Sequence, residues 1–362
     1  MKKTFGLLLT SCMILLSVGC TSATSSSTNA PAKTGSDVKS ASASPTKEDA
    51  KSETSKSLVV YTAAATDVMN IVIPEFEAKT GVKVEVVTAG TGELLKRIEA
   101  EQAKPLGDIE WGGTVSVIAP KQQLFEPYKS VNESNLIESS KNTEGMITRN
   151  NIIPMVLLVN KKLVGDIKIE GYADLLNPKL KGKIAFPDPA KSSTGLTHIE
   201  NILQTIGAGD ENKGWDYIKS LTKNLDGKLL ASSSAVPKGV ADGEYVVGFT
   251  HEELASAAVR QGSPVEVVYM KEGAIVSPGT VQIIKGAKNM ENAKKFVDFL
   301  TSKELQSLTA AKLNMRASRA DVPAPAGLKQ VSEFKIVPED LKSALANNQV
   351  WLDKFKEVYT SN

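Results

Sequence analysis

The sequence predicts an α/β fold of two lobes, each built on a mostly parallel sheet with helices on both faces. From Leu58 onward, strand-like and helix-like segments alternate as βαβαβ, an order that needs crossover connections and so makes neighbouring strands parallel. A chain of 362 residues is longer than one hydrophobic core usually fills, which divides it between two compact bodies. Small and hydroxyl-bearing residues also collect where strands hand over to helices, the edge at which open sheets of this kind bind ligands.

Each element follows from its local pattern. Residues 58–61 are a short apolar strand, and Thr66-Asp67 then caps an amphipathic helix over 66–79 that Gly81 ends. Residues 82–87 alternate at period two, as a half-buried strand does. Gly90-Thr91-Gly92 opens a helix over 93–103 that Pro105 stops, and 108–111 read as a short strand ending at Gly112-Gly113. The continuous apolar run 152–159 is a buried strand. Residues 184–186 form a strand, followed by Pro187-Asp188-Pro189 and a helix from 193 or 194 to 206. A helix over 213–225, strands over 228–231 and 245–249, and a strand over 280–284 come next. Helices over 290–300 and 303–312 and helical periodicity over 338–346 complete the pattern, with no internal repeat.

Composition removes several function classes. Lys and Arg number 43 against 41 Asp and Glu, so no broad basic surface for nucleic acid is indicated. Two His and two Cys are too few for a His₃ or Cys₄ zinc site, and no metal centre or cofactor is called for. The slight excess of positive charge belongs to the leader: residues 1–20 carry +2 and 21–57 carry +1, which leaves the body at −1 against a total of +2.

The first 57 residues are an address and a tether. Lys2 and Lys3 precede a 16-residue uncharged run from Thr4 to Gly19, shorter than the roughly 20 residues of a membrane-spanning helix and ending in small residues. A secretory signal over 1–20 is the reading. Residues 21–57 hold eleven Ser and no aromatic, and cannot bury enough apolar surface to offset ordering entropy; a disordered linker is expected. Its reach as a flexible coil is about 30–37 Å. Cys12 leaves with the signal, so Cys20 is the sole remaining thiol and has no disulfide to join.

Known catalytic fingerprints are absent. Gly90-Thr91-Gly92 has the strand-to-helix context of a dinucleotide site, but Leu95 stands where the third glycine belongs. No G-x-S-x-G, Walker A or H-E-x-x-H motif occurs, and His198 falls in a helix where a packed role is the plainer reading. An exported hydrolase built on Ser192-Ser193 and a histidine is the rival class. Four junctions carry the site reading: Ala64 to Thr66, Gly90-Thr91-Gly92, Gly113-Thr114 after Trp111, and Ser192-Ser193-Thr194-Gly195. Small residues let backbone N–H groups reach a ligand, and helix N-termini add unsatisfied donors with partial positive charge. On one sheet edge they converge, describing a cradle of neutral donors for a compact anion.

These residues carry a family resemblance. Val60-Tyr61-Thr62-Ala63, the stretches 76–84 and 99–113, and 188–195, 243–248 and 284–289 resemble, in order, extracellular solute-binding proteins of ABC importers. The branch includes ferric-ion, thiamine, 2-aminoethylphosphonate and hexose-phosphate binders. The resemblance implies the two-lobed periplasmic-binding-protein type II fold, with lobe 1 at 58–155 plus 275–362, lobe 2 at 156–274, and ligand between them. It implies a monomer that binds a small anionic solute and delivers it to permease subunits, without enzyme activity. Leu16-Ser17-Val18-Gly19-Cys20 resembles a bacterial lipobox, with Ser17 where Leu is usual, so Cys20 is the expected lipidation site and membrane anchor on the extracellular or periplasmic side.

The resemblance also bears on the ligand. Ferric members use adjacent tyrosines, whereas this chain reads Phe249-Thr250-His251-Glu252 there, with Gly113 at the position of the first-lobe carboxylate; iron is demoted. His251, Glu252 and Glu272 resemble the His and carboxylates that read sugar hydroxyls in hexose-phosphate binders, and carboxylates equally suit an amine. Ser234 lies where the family places a further ligand loop. Thiamine or its phosphates stay open through Trp111 and Tyr245.

Overall fold

The computed structural model describes residues 56–361 except residue 144. The expected signal, Cys20 and all but the last two residues of the expected linker lie outside the described residues. The first half of the fold runs β1 (Ser57–Thr62), α1 (Thr66–Thr80), β2 (Lys83–Thr88), α2 (Thr91–Ala100), β3 (Ile109–Thr114), α3 (Val115–Ile118), β4 (Phe125–Glu126) and β5 (Thr148–Asn160). It continues through β6 (Ile184–Ala185), α4 (Ser193–Thr205), α5 (Glu211–Leu225), α6 (Ala235–Ala241), β7 (Val247–His251), α7 (Glu252–Arg260) and β8 (Val265–Val268). It closes with β9 (Ala274–Ile284), α8 (Met290–Leu300), α9 (Lys303–Leu313), β10 (Arg316–Ala317), β11 (Ile336–Val337) and α10 (Leu341–Thr360).

Two long strands join two half-sheets. The strand order is β2-β1-β3-β9-β5-β7-β6, with β1 parallel to both β2 and β3, and β6 parallel to β7. The central pairs β3–β9, β9–β5 and β5–β7 are antiparallel, and parallel pairing is found on the two flanks and where β11 joins β9. The first half of β5 pairs with β9 through Pro154↔Val276, and from Met155 onward β5 pairs with β7 instead. Pro154 lacks an N–H to give a ladder, which suits the point where the strand changes partners. The first lobe packs Val60, Val72, Phe76, Ile109 and Phe296 on one face of its half-sheet and Tyr61, Leu94 and Ile118 on the other. The second packs Leu157, Phe186, Ile199, Trp215 and Phe249 on one face and Val156, Val236 and Ala255 on the other.

Several expectations shift at their ends. β5 starts at Thr148, four residues before the apolar run, because Thr148-Arg-Asn-Asn151 is buried beside β9 despite its polarity. The expected strand over 228–231 contributes one bridge, Pro187↔Leu230. The C-terminal segment departs from the expected lobe boundary: Phe334, Val337, Ala344, Trp351 and Phe355 pack into the second lobe's core. Asn348 donates to the Ser116 carbonyl at 2.6 Å, so α10 also touches the first lobe. α10 runs well past the periodic stretch 338–346, because a helix packed on two bodies shows no single apolar stripe.

Candidate functional site

Six helix starts meet at one cavity of 360 Å³. One wall is made by Ala64 and Thr66 at α1, Thr91 at α2, and Gly113 and Thr114 before α3. The other is made by Ser192, Ser193 and Thr194 at α4, Ser234 before α6, and His251 and Glu253 at α7. Asn150 and Asn151 of β5 and Gly279 and Thr280 of β9 lie between the walls. Gly113 has φ +76, a conformation side chains rarely adopt, and an added Cβ would sit 2.8 Å from Thr91 Cγ2; bare backbone is what lets β3 end at the cavity.

The helices that start here are not capped by their own side chains. Ala65, Gly90, Thr114, Ser192, Ser234 and His251 hold the N-cap positions of α1, α2, α3, α4, α6 and α7, and none accepts a capping hydrogen bond through its side chain. Of the four helices that start away from the cavity, α5, α9 and α10 are capped by Asp210, Ser302 and Asp340, and α8, behind Asn289, is not. Side-chain caps normally satisfy first-turn N–H groups and are worth about 1 kcal/mol each. Ser192, 4% exposed, also leaves its Oγ without a partner among the described residues.

The walls touch each other above this cradle. Gly92 N–H donates to the Lys191 carbonyl at 3.1 Å, Thr91 Oγ1 lies 3.4 Å from Ser193 Oγ, and Thr114 Oγ1 lies 3.2 Å from Thr197 Oγ1. Glycine is required for this approach: a Cβ on Gly90 would fall 2.2 Å from the Lys191 carbonyl oxygen, and one on Gly92 2.3 Å from that of Ala190.

A buried hydrogen-bond chain stiffens the second wall. Asn201 Nδ2 donates to the Tyr172 hydroxyl at 2.6 Å, that hydroxyl meets His198 Nδ1 at 2.8 Å, and His198 Nε2 reaches the Thr250 carbonyl at 2.8 Å. Since a carbonyl only accepts, Nε2 carries the proton and Nδ1 accepts from Tyr172. Burial pushes His198 down to about 4, which keeps it neutral in this role. His251 is likewise pushed to about 4 by burial, with the neighbouring His198 adding to the effect.

Of the residues singled out in the sequence, Ala64, Thr66, Thr91, Gly113, Thr114, Ser192, Ser193, Thr194, Ser234 and His251 line the cavity. Four do not. Gly195 is packed beneath it, where a Cβ would lie 2.4 Å from the Pro187 carbonyl oxygen. Thr250 is buried, its carbonyl engaged by His198. Glu252 points away, because Arg316 holds it through Nε at 2.6 Å and Nη2 at 2.9 Å, with the Tyr269 hydroxyl also on it. Glu272 caps a distant turn, accepting from Tyr172 N–H at 3.1 Å and Ala173 N–H at 3.0 Å. The cavity instead receives Glu253, one residue along α7, whose Oε2 accepts from Asn151 Nδ2 at 3.1 Å. Neither Glu253 nor the Asn150-Asn151 pair stood out in the sequence; two polar residues leading an apolar strand are the trace they leave. No tyrosine, lysine or arginine is among the lining residues.

The family model for bacterial extracellular solute-binding proteins matches residues 58–312. The chain belongs to this family. The solute-binding protein is 31% identical over 265 residues to an uncharacterized protein of Haemophilus influenzae, covering 69% of this chain and 74% of that one. It is 26% identical to iron uptake protein A1 of Synechocystis, over 76% and 79% of the two chains. Among solved structures, the periplasmic binding protein AfuA from Actinobacillus pleuropneumoniae, with exogenous fructose-6-phosphate bound, is 30% identical. It superposes with a TM-score of 0.75 over 85% of this chain and 98% of that one. The solute-binding protein therefore has the two-lobed type II fold of ABC-importer receptors, which bind small solutes outside the cytoplasm and work with permease subunits.

Proposed function

We propose that this solute-binding protein captures a small phosphorylated or phosphonate solute between its lobes and hands it to its permease without transforming it. One observation carries the reading: six helices begin at the cavity and none is capped by its N-cap side chain, while three of the four that begin elsewhere are. The start of α4, which has no side-chain cap, with the hydroxyls of Thr91, Thr114, Ser192, Ser193 and Thr194 beside it, suits the oxygens of a compact anion. Charge-assisted hydrogen bonds at about 1.5–3 kcal/mol each need number only about three to six to reach the roughly 8 kcal/mol of micromolar binding. The sugar phosphate in AfuA supports the same class of guest. A ferric cargo, as the name of the Synechocystis relative suggests, is less well served by a lining without tyrosine.

Lipidation at Cys20 would hold the receptor at high effective concentration beside its permease. The anion reading is tested by thermal shift with a panel of phosphate esters and phosphonates, in which the cognate class raises Tm as linkage requires. Ser193→Ala with Thr194→Ala is expected to abolish that shift. An undiminished shift in the double variant, or no response of the wild type to any phosphorus compound, removes the assignment.

A further inference from the structure

Behind the cavity the lobes meet again, this time through acids. Helix α3, whose Val115 and Ile118 lie in the first lobe's core, sets Ser116, 1% exposed, against the second lobe. Two carboxyls converge on that hydroxyl. Glu200, also 1% exposed, comes from α4 beside Ile199 and Ile202 of the second lobe's core and shares a hydrogen bond with Ser116. Glu339, between Val337 and Ala344 of the same core, meets the Ser116 hydroxyl too. Its Oε1 also accepts from Ser277 Oγ of β9 at 2.7 Å and from Ser116 N–H at 3.3 Å. The cluster reaches the solute cavity: Thr114, in its lining, places Oγ1 3.3 Å from Ser116 Oγ and 3.2 Å from Thr197 Oγ1 of α4.

We propose that Glu200 and Glu339 form a proton-operated latch between the lobes, which holds them together with one proton on the pair and lets them part when both carboxyls ionise. The latch acts on closure and is independent of what solute the cavity holds. A serine hydroxyl has one proton to give, so Ser116 satisfies one carboxylate and the other carboxyl must bring its own. Two carboxylates around one buried hydroxyl repel each other and lack the water that would solvate them. The surrounding groups do not relieve both. Arg149 of β5 favours the ionised form of Glu339. Glu200 faces Asp340, which adds negative charge though its backbone N–H helps, and otherwise receives a neutral amide, Gln204 Nε2 at 3.2 Å. Asn348 of α10 is spent on the Ser116 carbonyl. The shared proton therefore belongs to Glu200, which burial, with Glu339 next in effect, pushes up to about 8. With the lobes apart, water reaches the pair and Glu200 releases that proton at lower pH. The closed form thus binds a proton that the open form has lost. Closure is strongest in acid and weakens as pH climbs towards 8, by up to about tenfold in the closed-to-open ratio per pH unit.

Hydrogen–deuterium exchange of the solute-free full chain, followed by mass spectrometry at about pH 6 and about pH 9 and corrected for intrinsic exchange, tests the latch. In the wild type, peptides covering 113–118 and 336–342 are expected to lose protection by about 10- to 100-fold at the higher pH. Peptides of β1 and α8, in the first lobe's core, are expected to hold theirs. Glu200→Gln, which keeps the shape and cannot ionise, is expected to keep the junction protected at both pH values. Glu339→Gln should do the same, since either change leaves Ser116 one carboxylate to serve. Wild-type protection that does not change with pH overturns the latch, whatever the variants do. A loss of undiminished size in both variants also overturns it, because other groups then cause the response. So does a loss shared equally by β1 and α8, which marks general unfolding and not a parting of the lobes.

Discussion

Adjacent glutamates at the start of α7 have separate fates because successive helical residues point about 100° apart. Glu252 turns into the protein and meets Arg316, a pair with side chains 2% and 4% exposed; breaking such a pair is costly because it strands a buried charge. Glu253 turns to the cavity. A different acid supports a pH prediction. Glu200 of α4 lies near Glu339, whose Oε1 accepts from Ser277 Oγ at 2.7 Å and from Ser116 N–H at 3.3 Å. Burial, with Glu339 nearby, pushes Glu200 up to about 8, and burial raises Glu339 as well. A carboxyl raised in the folded state holds a proton that the unfolded chain has released. Its stabilisation is therefore complete below about pH 4.5 and is lost as pH climbs towards 8, at up to about 1.4 kcal/mol per pH unit for each group. Urea unfolding at several pH values should show Glu200→Gln losing stability less steeply than wild type between pH 5 and 8; parallel curves would contradict the shift.

At the scale of elements, the strand-to-helix junctions are the working parts. Each does without a cap from its N-cap side chain, and glycine at 90 and 92 lets α2 meet the turn before α4. Gly90 has an ordinary extended backbone, φ −68 and ψ 148, so alanine there strains nothing except the contact with the Lys191 carbonyl. Gly90→Ala should hold the walls apart. The expected result is a larger radius of gyration by X-ray scattering in the presence of ligand, with affinity reduced at least about tenfold and Tm of the free protein little changed. Unaltered affinity would mean that the contact between Gly92 and Lys191 plays no part in capture. Most elements were legible: α8 spans Met290–Leu300 as its periodicity requires, and α1 ends at Gly81 in the left-handed conformation. α6 leaves little periodic signal in the sequence, since Ser232-Ser233-Ser234, Pro237 and Gly239 interrupt it.

At the scale of the whole molecule, two lobes share β5 and β9, and α10 lies against both. The lipidation proposed at Cys20 is tested at this scale. Cys20→Ala should leave solute affinity intact and shift the protein from the membrane fraction to the soluble one; a variant that still sediments with membranes would exclude a lipid on that thiol.

Local pattern was enough to establish the alternation of strands and helices, the small-residue junctions and the order of motifs shared with solute-binding proteins, because these depend on residues near one another in the chain. Which residues face the cavity depended on partners far away: Arg316, 64 residues from Glu252, removed one acid, and the turn at Tyr172, 100 residues before Glu272, took another. The return of α10 to the second lobe was equally out of reach. Side-chain direction at a helix start turns on a few degrees of rotation and on what charge waits nearby, and only the assembled structure supplies both.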